Sequence, residues 1–251
     1  MNIRDITFLT SEEVVDALQN NNGIIIPVAS IEQCGRHGTT GIDYHIASYL
    51  APIIADNCNM CYAPVIAYGD TLEMEDFKGT VNIPTKTLSD LYYHVALSFF
   101  KSSAQNIVFL VTHSLNSRSV DCACRKLYAE GVNCAFVDFW KACSQVSCDI
   151  ITDKEYGTGH GAEQITSVSL AINSKLIDLS KALNEQPIED IKLKVKHLYG
   201  GSNVCTSYSN FHSYCKSGSW GNIQNASEEK GKIILDRAIN LISKNIIEVL
   251  K

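Results

Sequence analysis

The chain has 251 residues, of which 45% are apolar, and its formal net charge is −6. This length and composition allow one large α/β domain with a full hydrophobic core, or two small domains. Because the chain is acidic and has no run of basic residues, we do not expect nucleic acid or a membrane surface as a partner. No apolar segment resembles a signal peptide or approaches the roughly 20 residues that span a bilayer, so the expected location is cytoplasmic.

Cysteines are frequent, with ten in the chain, but their spacing is irregular. Without a signal peptide, we expect them to be mostly reduced thiols. Cys58 and Cys61 have the C-x-x-C spacing, but no second pair of cysteines or histidines completes a zinc module. We therefore interpret these cysteines as ordinary core or surface residues.

Helical and extended patterns alternate along the chain. In order, they predict helix 11–18, strand 24–29, helix 44–55, strand 62–67, helix 87–103, strand 106–112, helix 118–130, strand 132–139 and helices at 162–173 and 226–250. Ser11 is a favourable helix cap, Thr87 and Asp90 have the spacing of a capping box, and Gly131 ends a helix. Continuous apolar runs are typical of strands that are buried on both faces. The alternation predicts one α/β domain over residues 1–251 with a largely parallel sheet.

Two later stretches are less regular. Pro187 interrupts any helix across residues 179–198. Residues 200–225 are rich in glycine and serine and predict a long loop, and loops of that length are often functional. Trp220 in this loop either lines a substrate pocket or packs in a local aromatic core.

Three polar clusters lie where an α/β protein places its chemistry, beyond the carboxyl ends of strands. They are Glu32-Gln-Cys34-Gly-Arg-His37 with Asp43, then Thr112-His113-Ser-Leu-Asn116, then His160-Gly-Ala-Glu163-Gln-Ile-Thr166-Ser167. Neighbouring strands are about 4.8 Å apart, so Glu32, Asp43 and His113 can share one divalent ion. Alternatively, the two carboxylates cap helices and His113 is a solvated loop residue.

The first cluster resembles the E-Q-H-G-x-H-L-P-x-x-T-D motif of the creatininase (creatinine amidohydrolase) family. The second resembles its N-G-H-G-G-N motif and the third its H-A-G-E-x-E-T-S motif. Three further segments agree in order and spacing, at residues 68–80, 132–140 and 218–231. The resemblance therefore covers roughly residues 24 to 240 of the chain.

This resemblance implies a three-layer α/β/α fold and, usually, a homo-oligomer. It implies a metal-dependent hydrolase of the C–N bond in a small amide or lactam, with zinc, manganese or iron as the ion. Glu32, Asp43 and His113 match metal ligands, and His160 matches a histidine that assists proton transfer or steadies the tetrahedral intermediate. From the matched motifs and the long loop we expect Glu163 as a further catalytic residue and substrate contacts at His37, Asn116 and Trp220.

Four positions depart from the family motifs. Cys34 replaces a histidine that binds the second ion, and Leu115 stands where creatininase has a ligand glutamate. Ile165 replaces a further glutamate, and Met74 replaces a histidine. The first ion keeps its three matching ligands while the second loses its usual ones, so we predict one ion rather than two. If Cys34 also ligates the ion, its thiolate favours zinc over manganese.

Several residues have simpler alternative roles. Glu163 is either a base or a first-turn residue that favours the helix dipole, and His37 is either a pocket residue or a hydrogen-bonding loop residue. The leading hypothesis is an amidohydrolase, although creatinine is not the expected substrate because the ligand glutamate is missing at Leu115. A second hypothesis is a catalytically weak or inactive relative that binds a small molecule or a partner subunit. A third makes Cys34 a nucleophile beside His37 or His113.

Overall fold

The computed structural model describes residues 4–186 and 210–250. Four parallel strands form one sheet in the order β2-β1-β3-β4. The elements are α1 (Ser11–Asn20), β1 (Ile24–Val28), α2 (Ile42–Cys58), β2 (Cys61–Tyr62), α3 (Thr85–Lys101), β3 (Asn106–Val111), α4 (Asn116–Ala129), β4 (Asn133–Asp138), α5 (Phe139–Val146), α6 (Glu163–Ile172) and α7 (Glu228–Val249). Short 3-10 turns lie at Ile6–Phe8, Leu72–Met74, Ser174–Leu176, Leu179–Lys181, Phe211–Ser213 and Ile223–Asn225.

Each face of the sheet carries its own hydrophobic core, because successive strand residues point to opposite faces. One face packs against α2, α5, α6 and α7 through Ile25, Val108 and Leu110. The other packs against α1, α3 and α4 through Ile24, Ile26, Val28, Ile107, Phe109 and Val111. Helices therefore cover both faces, which confirms the predicted three-layer α/β/α fold and explains why the strands are continuous apolar runs.

Two predicted elements differ clearly from the observed ones at their boundaries. Helix α3 begins at Thr85 with Pro84 at its N-cap position and no side-chain cap, so the proposed capping box does not form. The φ of −58° at Pro84 is the angle that the proline ring imposes, and its ψ of 140° is extended, so the proline precedes the helix without strain. The strand predicted at 62–67 is reduced to Cys61–Tyr62, followed by a single bridge between Val28 and Ile66.

The sequence does not predict helix α5. The predicted strand 132–139 instead includes Phe139, which is the first residue of this helix. The helix begins directly after β4, where the Asp138 side chain accepts a hydrogen bond from the Lys141 backbone N–H at 3.2 Å. Phe139, Ala142 and Cys143 are its buried residues. Their i, i+3, i+4 spacing is a helical signal, but eight residues are too few for it to stand out.

Residues 187–209 lie outside the described part of the chain, so Pro187, the second half of segment 179–198 and the start of the predicted long loop lie there too. Within the described ranges, none of the helices combines the length and apolar character needed to cross a membrane.

Candidate active site

The carboxyl ends of β1 and β3 bring three ionisable side chains together. The last residues of these neighbouring strands, Val28 and Val111, are paired. Glu32 follows β1, His113 follows β3, and Asp43 lies in the first turn of α2. His113 Nδ1 is 3.4 Å from Glu32 Oε1 and 3.3 Å from Asp43 Oδ2. All three side chains are buried, and one ligand atom from each lies within 4.8 Å of the other two.

A hydrogen bond on the far side of the His113 ring determines which nitrogen faces the carboxylates. His113 Nε2 is 2.7 Å from the backbone oxygen of Asp70. Because a carbonyl oxygen only accepts, Nε2 carries the hydrogen and donates it. A neutral His113 therefore directs the Nδ1 lone pair toward two carboxylates, and a cation between them satisfies all three groups. A backbone carbonyl on the second nitrogen is the usual way in which a metal-binding histidine is oriented.

The carboxylates retain the capacity to coordinate an ion. Glu32 Oε2 is buried and has no hydrogen-bond partner among the described residues. Asp43 Oδ2 accepts one hydrogen bond, from Ser30 Oγ at 2.8 Å. Ligand atoms about 2.1 Å from a tetrahedral zinc ion are roughly 3.4 Å apart, and His113 Nδ1 is 3.4 and 3.3 Å from the two carboxylate oxygens. The donor set therefore fits one small divalent cation.

The electrostatics of the cluster point to the same conclusion. Burial would lower the pKa of His113, but the carboxylates of Glu32 and Asp43 raise that pKa well above its ordinary value of 6.5. Burial raises the pKa of Asp43, and the negative charge of Glu32 adds to the shift. Two buried carboxylates thus need a positive charge between them. A proton on His113 supplies one such charge, and a divalent ion supplies two.

His160 lies next to the three-residue cluster, with Nδ1 3.8 Å from Glu32 Oε1. Its Nε2 is 3.0 Å from the backbone oxygen of Gln33 and 3.2 Å from the side-chain nitrogen of the same residue. That amide nitrogen donates to Gly218 O at 3.0 Å and approaches Met74 Sδ at 3.2 Å, which accounts for both of its hydrogens. We therefore assign the ring hydrogen to Nε2, which leaves the basic Nδ1 turned toward Glu32.

A cavity of about 620 Å³ opens beside these residues and is lined by Glu32, Asp43, His113 and His160. All four positions that depart from the family motifs also line it, namely Cys34, Met74, Leu115 and Ile165. Leucine and isoleucine offer no ligand atom, and the methionine thioether is a weak one. The cavity is therefore largely apolar where a second ion would need ligands.

Cys34 lines the cavity, but its sulfur does not belong to the close cluster of ligand atoms found within the described residues. The thiol is buried, and burial raises its pKa well above 9.0, with the charges of Asp43 and Glu32 adding to the shift. Without an ion beside it, this thiol is therefore held in its neutral form. This placement differs from the expected ligand role and gives no support to Cys34 as a nucleophile, since the thiolate is the reactive form.

The sequence did not point to three further residues that line the cavity, which are Arg118, Trp140 and Lys141. Trp140 Nε1 donates to the backbone oxygen of Thr112 at 2.6 Å, which ties α5 to the end of β3. Trp140 and Lys141 directly follow β4, so their position beyond a strand end was a usable signal. Arg118 lies three residues after Leu115, one turn further along the same helix face.

Glu163 is not placed where a catalytic role requires it. Its carboxylate is fully buried and accepts hydrogen bonds from Thr152 N at 3.0 Å, Asp153 N at 2.9 Å and Lys230 Nζ at 2.6 Å. It is not among the described residues that line the cavity. These contacts join α6, α7 and the loop at 152–153, so the geometry gives Glu163 a structural role instead of the expected catalytic one.

Asn116 also differs from its expected role in substrate binding. Its Nδ2 donates to Ala29 O at 2.9 Å, and its Oδ1 accepts from Asp70 N at 2.9 Å. The side chain is fully buried. Because Asp70 O holds His113 Nε2, Asn116 fixes the backbone that orients a predicted metal ligand. A Cβ at Gly69 would come 2.7 Å from Asn116 Oδ1, which explains the glycine there.

His37 and Trp220, the other predicted substrate contacts, lie behind the cavity lining. His37 Nε2 is 3.0 Å from Thr166 Oγ1, and burial lowers its pKa to about 4, so the ring is neutral. Trp220 stacks on Phe211, with ring centroids 4.7 Å apart. A Cβ at Gly159 would come 1.6 Å from Trp220 Nε1, so only glycine fits there. Trp220 thus packs in an aromatic core behind the His160 loop.

Comparison with known proteins gives a family match over nearly the whole chain. Residues 7–246 match the sequence model of creatininase, described as creatinine amidohydrolase. A mycofactocin precursor peptide peptidase of Mycobacterium ulcerans (strain Agy99) is 29% identical over 182 residues, which cover 67% of this chain and 66% of that protein. A creatinine amidohydrolase of Pseudomonas putida is 22% identical over 244 residues, which cover 90% of this chain and 88% of that one. The match with the peptidase thus spans slightly less than two thirds of its length.

Solved structures of creatininases share the fold. A mutant creatininase complexed with creatine matches with a TM-score of 0.76 and 19% identity, over 99% of both chains. A structure described as creatininase Mn matches with a TM-score of 0.76 and 19% identity, over 98% of both chains. At this level of identity, the likeness establishes the three-layer architecture.

Proposed function

Because the chain belongs to the creatininase family, a family of hydrolases, we propose that it is a metal-dependent hydrolase of an amide C–N bond. The observation that carries this proposal is the buried cluster of Glu32, Asp43 and His113 at the edge of a substrate-sized cavity. Glu32 Oε2 is buried and lacks a partner among the described residues, so it remains available to a ligand at the cavity edge.

The proposed substrate is a short peptide or another amide with an apolar group. The relatives named as precursor peptide peptidases favour a peptide, which broadens our expectation of a non-peptide amide or lactam. Water-sized groups occupy about 30 Å³ each in a liquid, so a cavity of about 620 Å³ has room for roughly 20 of them. Leu115, Ile165 and Trp140 in its lining suit an apolar substrate group.

In the proposed mechanism, Glu32, Asp43 and His113 hold the ion. When bound, a divalent ion polarises the amide carbonyl and lowers the pKa of a nearby water. The chain itself supplies orientation, because Asp70 O fixes the His113 ring and Asn116 fixes Asp70.

His160 is the proposed proton carrier. Its Nε2–H is held by the Gln33 backbone oxygen, so the free Nδ1 is the atom that accepts and releases a proton. It can take a proton from the attacking water and give it to the leaving nitrogen, which are the two transfers that amide hydrolysis needs. The Glu32 carboxylate lies 3.8 Å from this nitrogen, which places Nδ1 beside the proposed ion site.

Further details of the proposal come from the donor set and the family. One nitrogen and two carboxylate ligands suit zinc and also manganese or iron, and the apolar lining at Leu115 and Ile165 favours one ion over two. We also propose a single domain over residues 1–251 and a cytoplasmic homo-oligomer, in line with the family resemblance.

Metal content and amide hydrolysis test the proposal together. The protein is purified without chelator, its zinc, manganese and iron are measured per chain, and short peptides and lactams are assayed by detection of the new amine. We expect about one ion per chain and hydrolysis that chelation abolishes and the ion restores. Asp43→Asn should lose both properties. Equal metal content in the parent and in Asp43→Asn would contradict the assigned site.

A second candidate function has its own support. The apolar side chains of Leu115 and Ile165 line the cavity beside the cluster, which suits a catalytically weak relative that binds a small molecule or partner. In that case the metal-loaded protein would bind peptide amides without releasing an amine. Single-turnover assays at high enzyme concentration distinguish slow hydrolysis from binding alone.

A further inference from the structure

Two positively charged side chains line the same cavity as the proposed metal site. Arg118 comes from the first turn of α4 and Lys141 from the first turn of α5. The carboxylates of Glu32 and Asp43 line the same cavity. A divalent ion would balance those two carboxylates, and the anionic partners of Arg118 and Lys141, which are Glu73 and Asp138, are not among the described residues that line the cavity.

The partners of these cations leave them available. Among the described residues, Arg118 Nη1 donates a hydrogen bond to Glu73 Oε1 at 3.2 Å. A guanidinium has five N–H donors, so this contact leaves most of them free. The Arg118 side chain is 44% exposed and that of Lys141 is 70% exposed.

Lys141 is also held weakly. Its Nζ lies 3.5 Å from Asp138 Oδ2, beyond the usual length of a charge-assisted hydrogen bond. Asp138 already accepts hydrogen bonds from Ser114 Oγ at 2.9 Å and Ser117 Oγ at 3.2 Å. Moving the Lys141 ammonium to a ligand therefore leaves Asp138 satisfied.

We infer that the substrate carries a free carboxylate, which Arg118 and Lys141 bind while its amide carbonyl lies at the Glu32–Asp43–His113 cluster. This inference rests on the proposed function and names the substrate class, namely short peptides or N-acyl amino acids with an unblocked carboxyl group. Arg118 and Lys141 are then specificity residues, and they act by charge-assisted hydrogen bonds to the carboxylate. Bidentate arginine contacts suit the planar carboxylate in particular.

The test compares a carboxylate with its neutral amide in an otherwise identical ligand. Acetyl-glycyl-leucine and acetyl-glycyl-leucinamide are offered to the zinc-loaded protein, and both hydrolysis and binding by calorimetry are measured. Loss of a charge-assisted hydrogen bond costs roughly ten- to a hundredfold in affinity. We therefore expect the acid to bind, and to be cleaved at low substrate concentration, about ten- to a hundredfold better than the amide.

Variants show whether the preference comes from these two residues or from the ion itself. Arg118→Gln and Lys141→Gln should each lower the affinity for the acid more than the affinity for the neutral amide, and so remove a large part of the acid preference. Lys141 is exposed, so its replacement tests the inference even if Arg118→Gln disturbs Glu73. Arg125→Gln is the matched control, because Arg125 lies on α4 but pairs with Asp121 at 2.8 Å outside the cavity.

The outcomes separate this inference from the proposed function. Equal binding of acid and amide by the parent overturns the inference, even if both are hydrolysed. An acid preference that persists in both variants also overturns it, since the carboxylate would then be binding the ion. An acid preference that the variants remove supports it, and calorimetry can show this even if neither ligand is hydrolysed and the proposed hydrolase activity fails.

Discussion

Two buried glutamates of this chain have opposite surroundings. Glu163 is 0% exposed, and its carboxylate is bound by two backbone N–H groups, the Thr152 hydroxyl and Lys230. Glu32 is 8% exposed, and its Oε2 has no partner among the described residues. Burial and residue type do not distinguish the two side chains. A buried carboxylate with an unused oxygen beside a cavity indicates ligand binding, whereas a saturated one holds elements together.

The largest contrast is expected when each glutamate is changed to glutamine. Glu32→Gln should lose the metal ion and at least about three orders of magnitude in hydrolysis rate, because the ion supplies several kcal/mol of transition-state stabilisation. Metal content per chain and initial rates measure both effects. Glu163→Gln, the matched control, should retain the ion. If Glu32→Gln binds the ion as tightly as the parent does, Glu32 is not a ligand.

A substitution at His160 tests whether the ligand group extends beyond Glu32, Asp43 and His113. It lies beside Glu32 but outside the three-residue ligand group, so His160→Ala should keep the ion and lose roughly 10²–10⁴-fold in rate, as for the loss of a general acid or base. Rates with the ion at saturation and elemental analysis check this. If the ion is lost together with activity, His160 is a ligand. Full activity would refute the proton-transfer role.

For Glu163 the expected effect is on stability and not on chemistry. Glu163→Gln leaves Lys230 without its anionic partner, which should cost about 2 kcal/mol, since the Lys230 side chain is 24% exposed and part of its charge is solvated. Thermal unfolding should occur roughly 4–8 °C lower than for the parent, given the size of the chain. An unchanged melting temperature would contradict the structural role, and a loss of activity without unfolding would restore the catalytic one.

The difference in stability between the parent protein and Glu163→Gln should also depend on pH. Burial raises the pKa of Glu163, but the hydrogen bonds from Asp153, Lys230 and Thr152 outweigh burial and lower it below 4.5. A carboxylate with a lowered folded-state pKa stabilises the fold fully above its unfolded pKa, and the contribution is lost as the pH falls through the folded value. The stability gap between parent and Glu163→Gln should therefore be constant near neutral pH and narrow below pH 4.5.

Urea unfolding in steps from pH 7 to pH 3.5 measures this narrowing. Asp90→Asn provides an exposed comparison, because hydrogen bonds from Lys126 and Lys86 lower the Asp90 pKa to about 2 at the surface. Solvent and salt screen such exposed pairs, so we expect the gap for Asp90→Asn to be smaller and to shrink further in added salt. A gap for Glu163→Gln that does not change with pH would mean that the lost contribution is not ionic.

The contrast between Glu32 and Glu163 also shows what could be predicted from the sequence. The alternation of strands and helices predicted the largely parallel sheet, because it depends on the periodicity of the chain. Polar strand ends offered the convergence of Glu32, Asp43 and His113 as one of two alternatives, and the family resemblance favoured it and implied the three layers. Glu163 and Asn116 were assigned functional roles from motif positions, and their hydrogen-bond partners instead give them positioning roles. Asp70 lies 46 residues from Asn116 and Lys230 lies 67 residues from Glu163, so no local pattern reveals these partners.

The cavity lining was the harder part to predict. Arg118, Trp140 and Lys141 reach the cavity because α4 and α5 pack beside the strand ends. Helix α5 was not predicted, so the residues at its start could not be placed. Patterns along the chain give the faces of elements, but which side chains surround a cavity depends on how the elements pack together.

Cys34 should show the smallest effect, and it tests how far the ligand group extends. Its sulfur lines the cavity but lies outside the close group of ligand atoms, and burial raises the pKa of the thiol well above 9.0. Cys34→Ser should therefore change the affinity for zinc less than about tenfold, since losing a true ligand would cost more than the roughly 10- to 100-fold of an outer partner. Competition with a zinc-binding dye measures this affinity. A loss of more than a hundredfold, or alkylation of Cys34 that zinc blocks, would show that the thiolate enters the coordination sphere and that the ligand group comprises four residues.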